Sequence, residues 1–179
     1  KRQELDTGLS AWNLAMGSQE LYDWLDAEPQ LFHPGDLDYI HSVERISKLS
    51  NVISINGGVQ LDLMGQENAE STGTRQLSGV GGQMDFLEGA YRSKGGKGFI
   101  CINSSRVTKD GERKSNILAT IPGGSTISAP RTMIQYVATE YGIASLSGKT
   151  LRERAEAMAS IAHPDFREEL MKYARENFK

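Results

Sequence analysis

The stretch from Leu77 to Gly98 constrains this chain more than any other: Leu-Ser-Gly-Val-Gly-Gly-Gln-Met-Asp-Phe-Leu-Glu-Gly-Ala-Tyr-Arg-Ser-Lys-Gly-Gly-Lys-Gly. It reads as the end of a strand, a glycine turn, a helix and a second, basic glycine turn. Gly79, Gly81 and Gly82 remove the side chains that would hold a ligand away from the main chain, and they permit positive φ. Gln83 to Arg92 follows as a helix. Its first amides point back into the turn, where a thioester oxygen, phosphate or carboxylate would be stabilised. A tight strand-to-helix joint with no ligand has the same signature, so other features must decide.

The chain has 179 residues, of which 38% are hydrophobic, enough for the core of one domain. A net charge of -3, with no visible segregation of basic residues, argues against a nucleic-acid partner. Cys101 is the single cysteine; it lies in the apolar run Gly98 to Ile102, is expected to be a small buried residue, and has no partner for an internal disulfide. No apolar stretch approaches the roughly 20 residues that cross a bilayer, and the N-terminus lacks the pattern of a secretory signal. The expected location is the cytoplasm, with no membrane contact.

Lys1 to Gly8 is polar, and apolar alternation begins at Leu9. Leu9 to Met16 reads as a core strand, so the chain is expected to be cut from something longer. Ser18 caps a helix reaching Asp26, with Leu21, Trp24 and Leu25 on one face; Pro29 and Pro34 end it. Gln30 to Asp38 reads as a loop, and Tyr39 to Ser50 as a helix with Ile40, Val43 and Ile46 at helical spacing. Val52 to Asn56 and Val59 to Leu63 are β-rich runs joined by Gly57-Gly58, the two-residue connection of a type I′ hairpin. A polar loop, Gly65 to Arg75, leads into the glycine turn. Further strands are expected at Phe99 to Asn103, Ile117 to Ile121 and Met133 to Ala138, with turns at Lys109 to Glu112 and Pro122 to Gly124. Two helices from Thr150 to Phe178 part at His163-Pro164. Strands alternating with helices predict an α/β fold, a mixed sheet covered by helices, as one domain over residues 1–179.

Lys94 and Lys97 flank Gly95-Gly96 past the end of the glycine-turn helix. A cation at a helix C-terminus is favourable in itself, but two lysines among glycines also describe a loop that closes on a phosphate. His41, beside Tyr39 and Ser42, is either structural or in contact with a polar ligand. His163 reads as a helix-end device and His33 stands in a proline loop. With no His or Cys pair at ligand spacing, no metal site is expected. Glu140, between a strand and a turn, is a nucleophile or base, or else a carboxylate that holds the turn by accepting hydrogen bonds. Asp85 suits the first turn of its helix. Arg152, Glu153, Arg154 and Glu156 read as a solvated face, as do Arg167, Glu168 and Glu169.

Four motifs in order carry a family resemblance: Ser78 to Phe86, Ser93 to Lys97, Val137 to Gly142, and Ile161 to Arg167. With Ile53 to Asn56, Leu61 to Leu63, Gly65-Gln66 and Gly17 to Asp26, nearly the whole chain resembles the C-terminal domain of the acetyl-CoA hydrolase/transferase family, closest to the 4-hydroxybutyrate and butyrate:acetate CoA-transferases. The resemblance implies a two-domain α/β enzyme with its active site between the domains, coenzyme A or acyl-CoA as substrate, and no metal or tightly bound cofactor. It implies covalent catalysis through a glutamyl-CoA thioester. Gly82 matches the residue whose amide faces the thioester oxygen. Ser78 and Lys94 match CoA contacts; Gly79, Gly81 and Gln83 belong to the same motif. The Tyr39 to Ser42 segment matches a CoA-facing loop in which His41 or Ser42 stands where relatives often carry asparagine.

The glutamate nucleophile of the resembling enzymes belongs to a motif upstream of Leu9, so it is expected outside this chain, on an N-terminal domain. The chain alone is then expected to be inactive, and a short-chain carboxylate and a homo-oligomer complete the implied partners. Acyl-CoA hydrolysis is the nearest alternative. A non-catalytic nucleotide-binding module is another, although Gly79, Gly81 and Gly82 do not give the Gly-x-Gly-x-x-Gly register. A purely structural assembly domain would leave Lys94 dispensable for ligand binding.

Overall fold

The computed structural model describes residues 4–179. Strand β1 (Ser10–Trp12) pairs in parallel with β2 (Phe32–Pro34), and α1 (Gln19–Ala27) connects them. The expected core strand over 9–16 is only this short piece, and Leu14 and Met16 beyond it are exposed. The loop expected over 30–38 contributes β2. Helix α1 starts as expected, its Ser18 hydroxyl accepting from the Leu21 amide.

Two short helices, α2 (Leu37–Ile40) and α3 (Val43–Lys48), replace the single helix expected over 39–50. The reason is a second cap. Asp36 accepts from the Tyr39 amide at 3.0 Å and Ser42 from the Arg45 amide at 3.2 Å, so a new helix starts instead of the first continuing. His41 is left at the joint.

There follow β3 (Ile53–Gly57), β4 (Gln60–Asp62), β5 (Glu67–Asn68), β6 (Ser71–Thr72), β7 (Arg75–Gln76), α4 (Gln83–Arg92), β8 (Lys97–Cys101), β9 (Ser105–Val107), β10 (Arg113–Ser115), β11 (Ile117–Leu118), β12 (Tyr136–Thr139), β13 (Gly142–Ser145), α5 (Leu151–Ser160) and α6 (Pro164–Asn177). The main sheet has the order β13-β12-β8-β3, with β3, β8 and β12 parallel and β13 antiparallel to β12. A second sheet has the order β11-β4-β5.

The hairpin expected at Gly57-Gly58 does not form, because β3 and β4 leave for different sheets. Neither glycine has the positive φ that a type I′ turn demands. Gly58 instead makes room for a carboxylate: a Cβ there would sit 2.6 Å from Glu67 Oε1.

Ile100, Val137 and Ala144 form a buried row across the main sheet and join Leu87 of α4 with Ala155 and Met158 of α5 in one core. Below α4 the register pairs two small residues, Ser54 and Gly98, where a Cβ on Gly98 would lie 2.9 Å from Leu87. The mixed sheet is the expected one. Its opposite face carries Ile55, Phe99 and Tyr136 in register, and Ile53, Ile55 and Ile143 are exposed. Cys101 lies on that open face and is exposed, not buried as expected, because strand alternation puts Ile100 inward.

Two polar segments fold inward against expectation. Within the stretch expected as a polar loop, Glu67, Asn68 and Ser71 are buried. Asn68 supplies the hydrogen bonds that water would have made, accepting from the Ser71 amide at 2.9 Å and donating to the Ser71 carbonyl at 2.8 Å. Arg154, expected on a solvated face, is 8% exposed. Its guanidinium donates to the carbonyls of Met64, Leu146 and Arg131 at 2.7–2.8 Å, tying three loops to α5. His163 caps the start of α6, accepting from the Asp165 amide.

Candidate functional site

Helix α4 spans the residues that the sequence predicts, Gln83–Arg92. Gly81 holds φ at +62°, a conformation that a side chain would strain. Gly82 is the N-cap and offers no side chain to the first turn. The backbone amides of residues 79–85 therefore donate to no group among the described residues. Every α-helix leaves its first amides without an intrahelical partner; here no side chain caps them, so they are open to solvent or to an acceptor from outside.

Gly81 and Gly82 line an open cleft of about 670 Å³ together with Asn13, Leu14, Leu37, Asp38, His41, Ser42 and Asp85. Because α4 runs back between parallel β3 and β8, this end lies toward the carboxyl ends of the parallel strands, where open α/β sheets bind ligands. The His41 ring is packed on Gly82, so closely that a Cβ at 82 would lie 2.2 Å from its Nδ1 and Cε1. Nε2 of the ring is 3.3 Å from Asn13 Oδ1, Nδ1 is 3.6 Å from Asp85 Oδ2, and Phe86 meets it edge-on. The joint between α2 and α3 thus delivers an imidazole to the side of the glycine turn, where a carbonyl oxygen would meet oriented donors.

The structure brings Gly81, Gly82 and His41 together and leaves the other expected contacts outside the cleft. Ser78 is exposed, with its amide 3.4 Å from the Glu70 carbonyl and its hydroxyl donating to the Gly79 carbonyl. Gly79 is exposed with open space at its Cα. The Gln83 side chain turns inward and donates to Glu67. Lys94 follows the far end of α4, a helix about 15 Å long by its rise per residue; its carbonyl accepts from the Asn51 amide. Lys97 opens β8.

Glu140 holds a turn. Its carboxylate accepts from the Ser104 amide at 2.9 Å and the Ser104 hydroxyl at 2.6 Å. Burial pushes this carboxyl up, but the Ser104 donors outweigh it and hold it below the ordinary carboxylate value.

Sequence reasoning missed Asn13 and Leu14, which line the cleft, and Glu67, which supports it from behind. Glu67 is fully buried; one oxygen accepts from Gln83 and the other, Oε1, has no partner. Burial raises its pKa to about 8 against the opposing pull of Gln83, so it is a neutral acid at pH 7. Among the described residues no group of His, Cys, Asp and Glu is arranged to hold a metal ion, and no helix is long and apolar enough to cross a membrane.

A mixed α/β fold that opens unspent amides of a glycine turn onto a cleft can donate to an acyl, phosphoryl or carboxylate oxygen. The chain belongs to the acetyl-CoA hydrolase/transferase family, whose C-terminal-domain model matches residues 17–174. It is 43% identical over 173 residues to the butyryl-CoA:acetate CoA-transferase of Anaerostipes caccae, covering 97% of this chain and 39% of that protein. It is also 43% identical over 178 residues to the 4-hydroxybutyrate coenzyme A transferase of Clostridium kluyveri, covering 99% of this chain and 41% of the other. The crystal structure of RipA from Yersinia pestis is similar with a TM-score of 0.87 at 39% identity, over 98% of this chain and 38% of that one. The chain therefore spans about two fifths of the length of these relatives.

Proposed function

We propose that this chain is the thioester-facing, C-terminal part of a CoA-transferase that moves CoA between an acyl-CoA and a short-chain carboxylate of the 4-hydroxybutyrate, butyrate or acetate type. The observation that carries the reading is the set of unspent amides at Gly81 and Gly82, opening onto a cleft in a chain of this family.

In this reading a glutamate carboxylate outside the chain attacks the thioester carbonyl. The carbonyl oxygen becomes an oxyanion before Gly82, whose amide donates to it as charge develops. Collapse breaks the C–S bond, releasing CoA thiolate and leaving a mixed anhydride. The thiolate then attacks the glutamyl carbonyl, the first carboxylate leaves, and a glutamyl-CoA thioester remains. An acceptor carboxylate runs the same steps in reverse, returning the glutamate and forming the new acyl-CoA. His41 borders the acyl group; Ser78, Gly79 and Lys94 belong to the CoA-binding surface, to which Gln83, its side chain turned inward onto Glu67, adds only its backbone. CoA is substrate, not resident cofactor.

The glutamate-bearing partner is an N-terminal domain, and the open apolar sheet face with Ile53, Ile55 and Ile143 is the kind of surface that an interdomain contact or an oligomer would bury. The reading carries a cytoplasmic location with it. The test is CoA exchange between acetyl-CoA and butyrate by the full-length enzyme. Acyl-CoA formed only with acceptor present supports transfer; equal CoA release with and without acceptor would make the enzyme a hydrolase.

A further inference from the structure

A second cleft, of about 440 Å³, lies at the far end of α4 beside Tyr91 and is bordered by Arg131, Thr132, Ser147, Lys149 and Arg154. Its chemistry differs from that of the glycine-turn cleft. Three cationic side chains line it, and among the described residues none of them has a carboxylate within ion-pair distance. The nearest acids act on these cations only at longer range: Asp62, buried and accepting from the amide and side chain of Gln66, partly offsets the charge of Arg154, and Glu153, folded back onto Thr150, is weakly attracted by Lys149.

The donors facing this space are unspent. The Arg131 guanidinium, the Lys149 ammonium and the hydroxyls of Thr132 and Ser147 make no hydrogen bond to the described residues; Arg131 contributes only its carbonyl, to Arg154. Arg154 is fixed by three carbonyls, which use three of its five N–H groups and leave its charge buried beside Arg131. Two guanidinium groups so placed repel, and an anion between them relieves the repulsion while accepting from both neighbours.

We infer that this cleft binds a phosphate or pyrophosphate group, held by Arg131, Lys149 and Ser147 over the fixed charge of Arg154. The inference does not rest on the catalytic reading. The phosphate comes from the nucleotide end of an acyl-CoA or from a free phosphate anion, and both present the same oxygens to the same donors.

The test is calorimetric titration of the full-length protein with inorganic pyrophosphate at low ionic strength. Saturable binding is expected, weakened about tenfold or more in R131Q/K149Q, which removes two charge-assisted contacts. K109Q/K172Q removes the same net charge from exposed sites elsewhere and is expected to bind within about twofold of the parent. Ser147→Val keeps every charge and is expected to weaken binding a fewfold by loss of one hydroxyl donor. Displacement of pyrophosphate by CoA would support the nucleotide end as the source; unchanged binding in saturating CoA would support a free anion. Absence of saturable binding, or equal weakening in the two double variants, would overturn the site.

Discussion

The imidazole of His41 occupies the space that a side chain at residue 82 would need, with 2.2 Å between its Nδ1 and a Cβ built on Gly82. Glycine is therefore required here by packing as well as by chemistry. Gly82→Ala is expected to push His41 away from Asn13 and Asp85, turn the amide off its line, and lower kcat about 10²-fold, the scale of losing one oxyanion donor. His41→Gly in the Gly82→Ala background restores the space and is expected to recover part of that loss. Steady-state kcat of the full-length enzyme checks both.

Glu67 links stability to pH with an unusual sign for a carboxylate. Below its ordinary value of 4.5, folded and unfolded chains both hold the proton and this group costs the fold nothing. Between 4.5 and about 8 only the unfolded chain releases it, so stability falls as pH rises, and the slope ends above the folded value. The change amounts to a few kcal/mol, at about 1.4 kcal/mol per pH unit. Glu67→Gln keeps the shape and the link to Gln83 without the ionisation. Melting temperature measured from pH 4.5 to 8.5 is expected to fall less steeply in that variant than in the parent.

Arg154 serves three carbonyls with one planar group. Arg154→Ala is expected to cost about 3 kcal/mol or more, because buried acceptors at Met64, Leu146 and Arg131 lose their donor. Arg154→Lys is expected to recover less than half of it, since one ammonium cannot reach all three directions. Urea denaturation at constant pH compares them.

Glu140 is expected to be a structural acid. Glu140→Gln retains a hydrogen bond to Ser104, so turnover is expected within about threefold of the parent and stability lower by about 1 kcal/mol. A complete loss of turnover in a variant that folds normally would place the nucleophile in this chain.

Much of the site was legible because glycine spacing states a backbone requirement directly: Gly81 and Gly82 before an amphipathic run give both the turn and the start of α4. His41 was legible as a ligand-facing residue only through the family resemblance; its spacing puts it inside one helix, because Ile40, Val43 and Ile46 fit a single run and hide the competing caps Asp36 and Ser42. The expected hairpin failed for a different reason. Gly57-Gly58 matches a turn, yet β3 finds its partner in β8 and β4 in β11, pairings between strands far apart in the chain. The burial of Glu67 within a polar loop and of Arg154 on a charged helix face is not legible in sequence, because only the carbonyls and the Gln83 amide brought to them by the fold make it tolerable.

The claim that the account most depends on is that the Gly81 and Gly82 amides are donors waiting for a thioester oxygen. Amide resonances of these two residues, followed by heteronuclear NMR during titration with acetyl-CoA and separately with NAD, test it directly. The account predicts saturable downfield shifts at both glycines with acetyl-CoA and none with NAD. Glycine amides that stay still in saturating acetyl-CoA, or that respond to NAD instead, would contradict it.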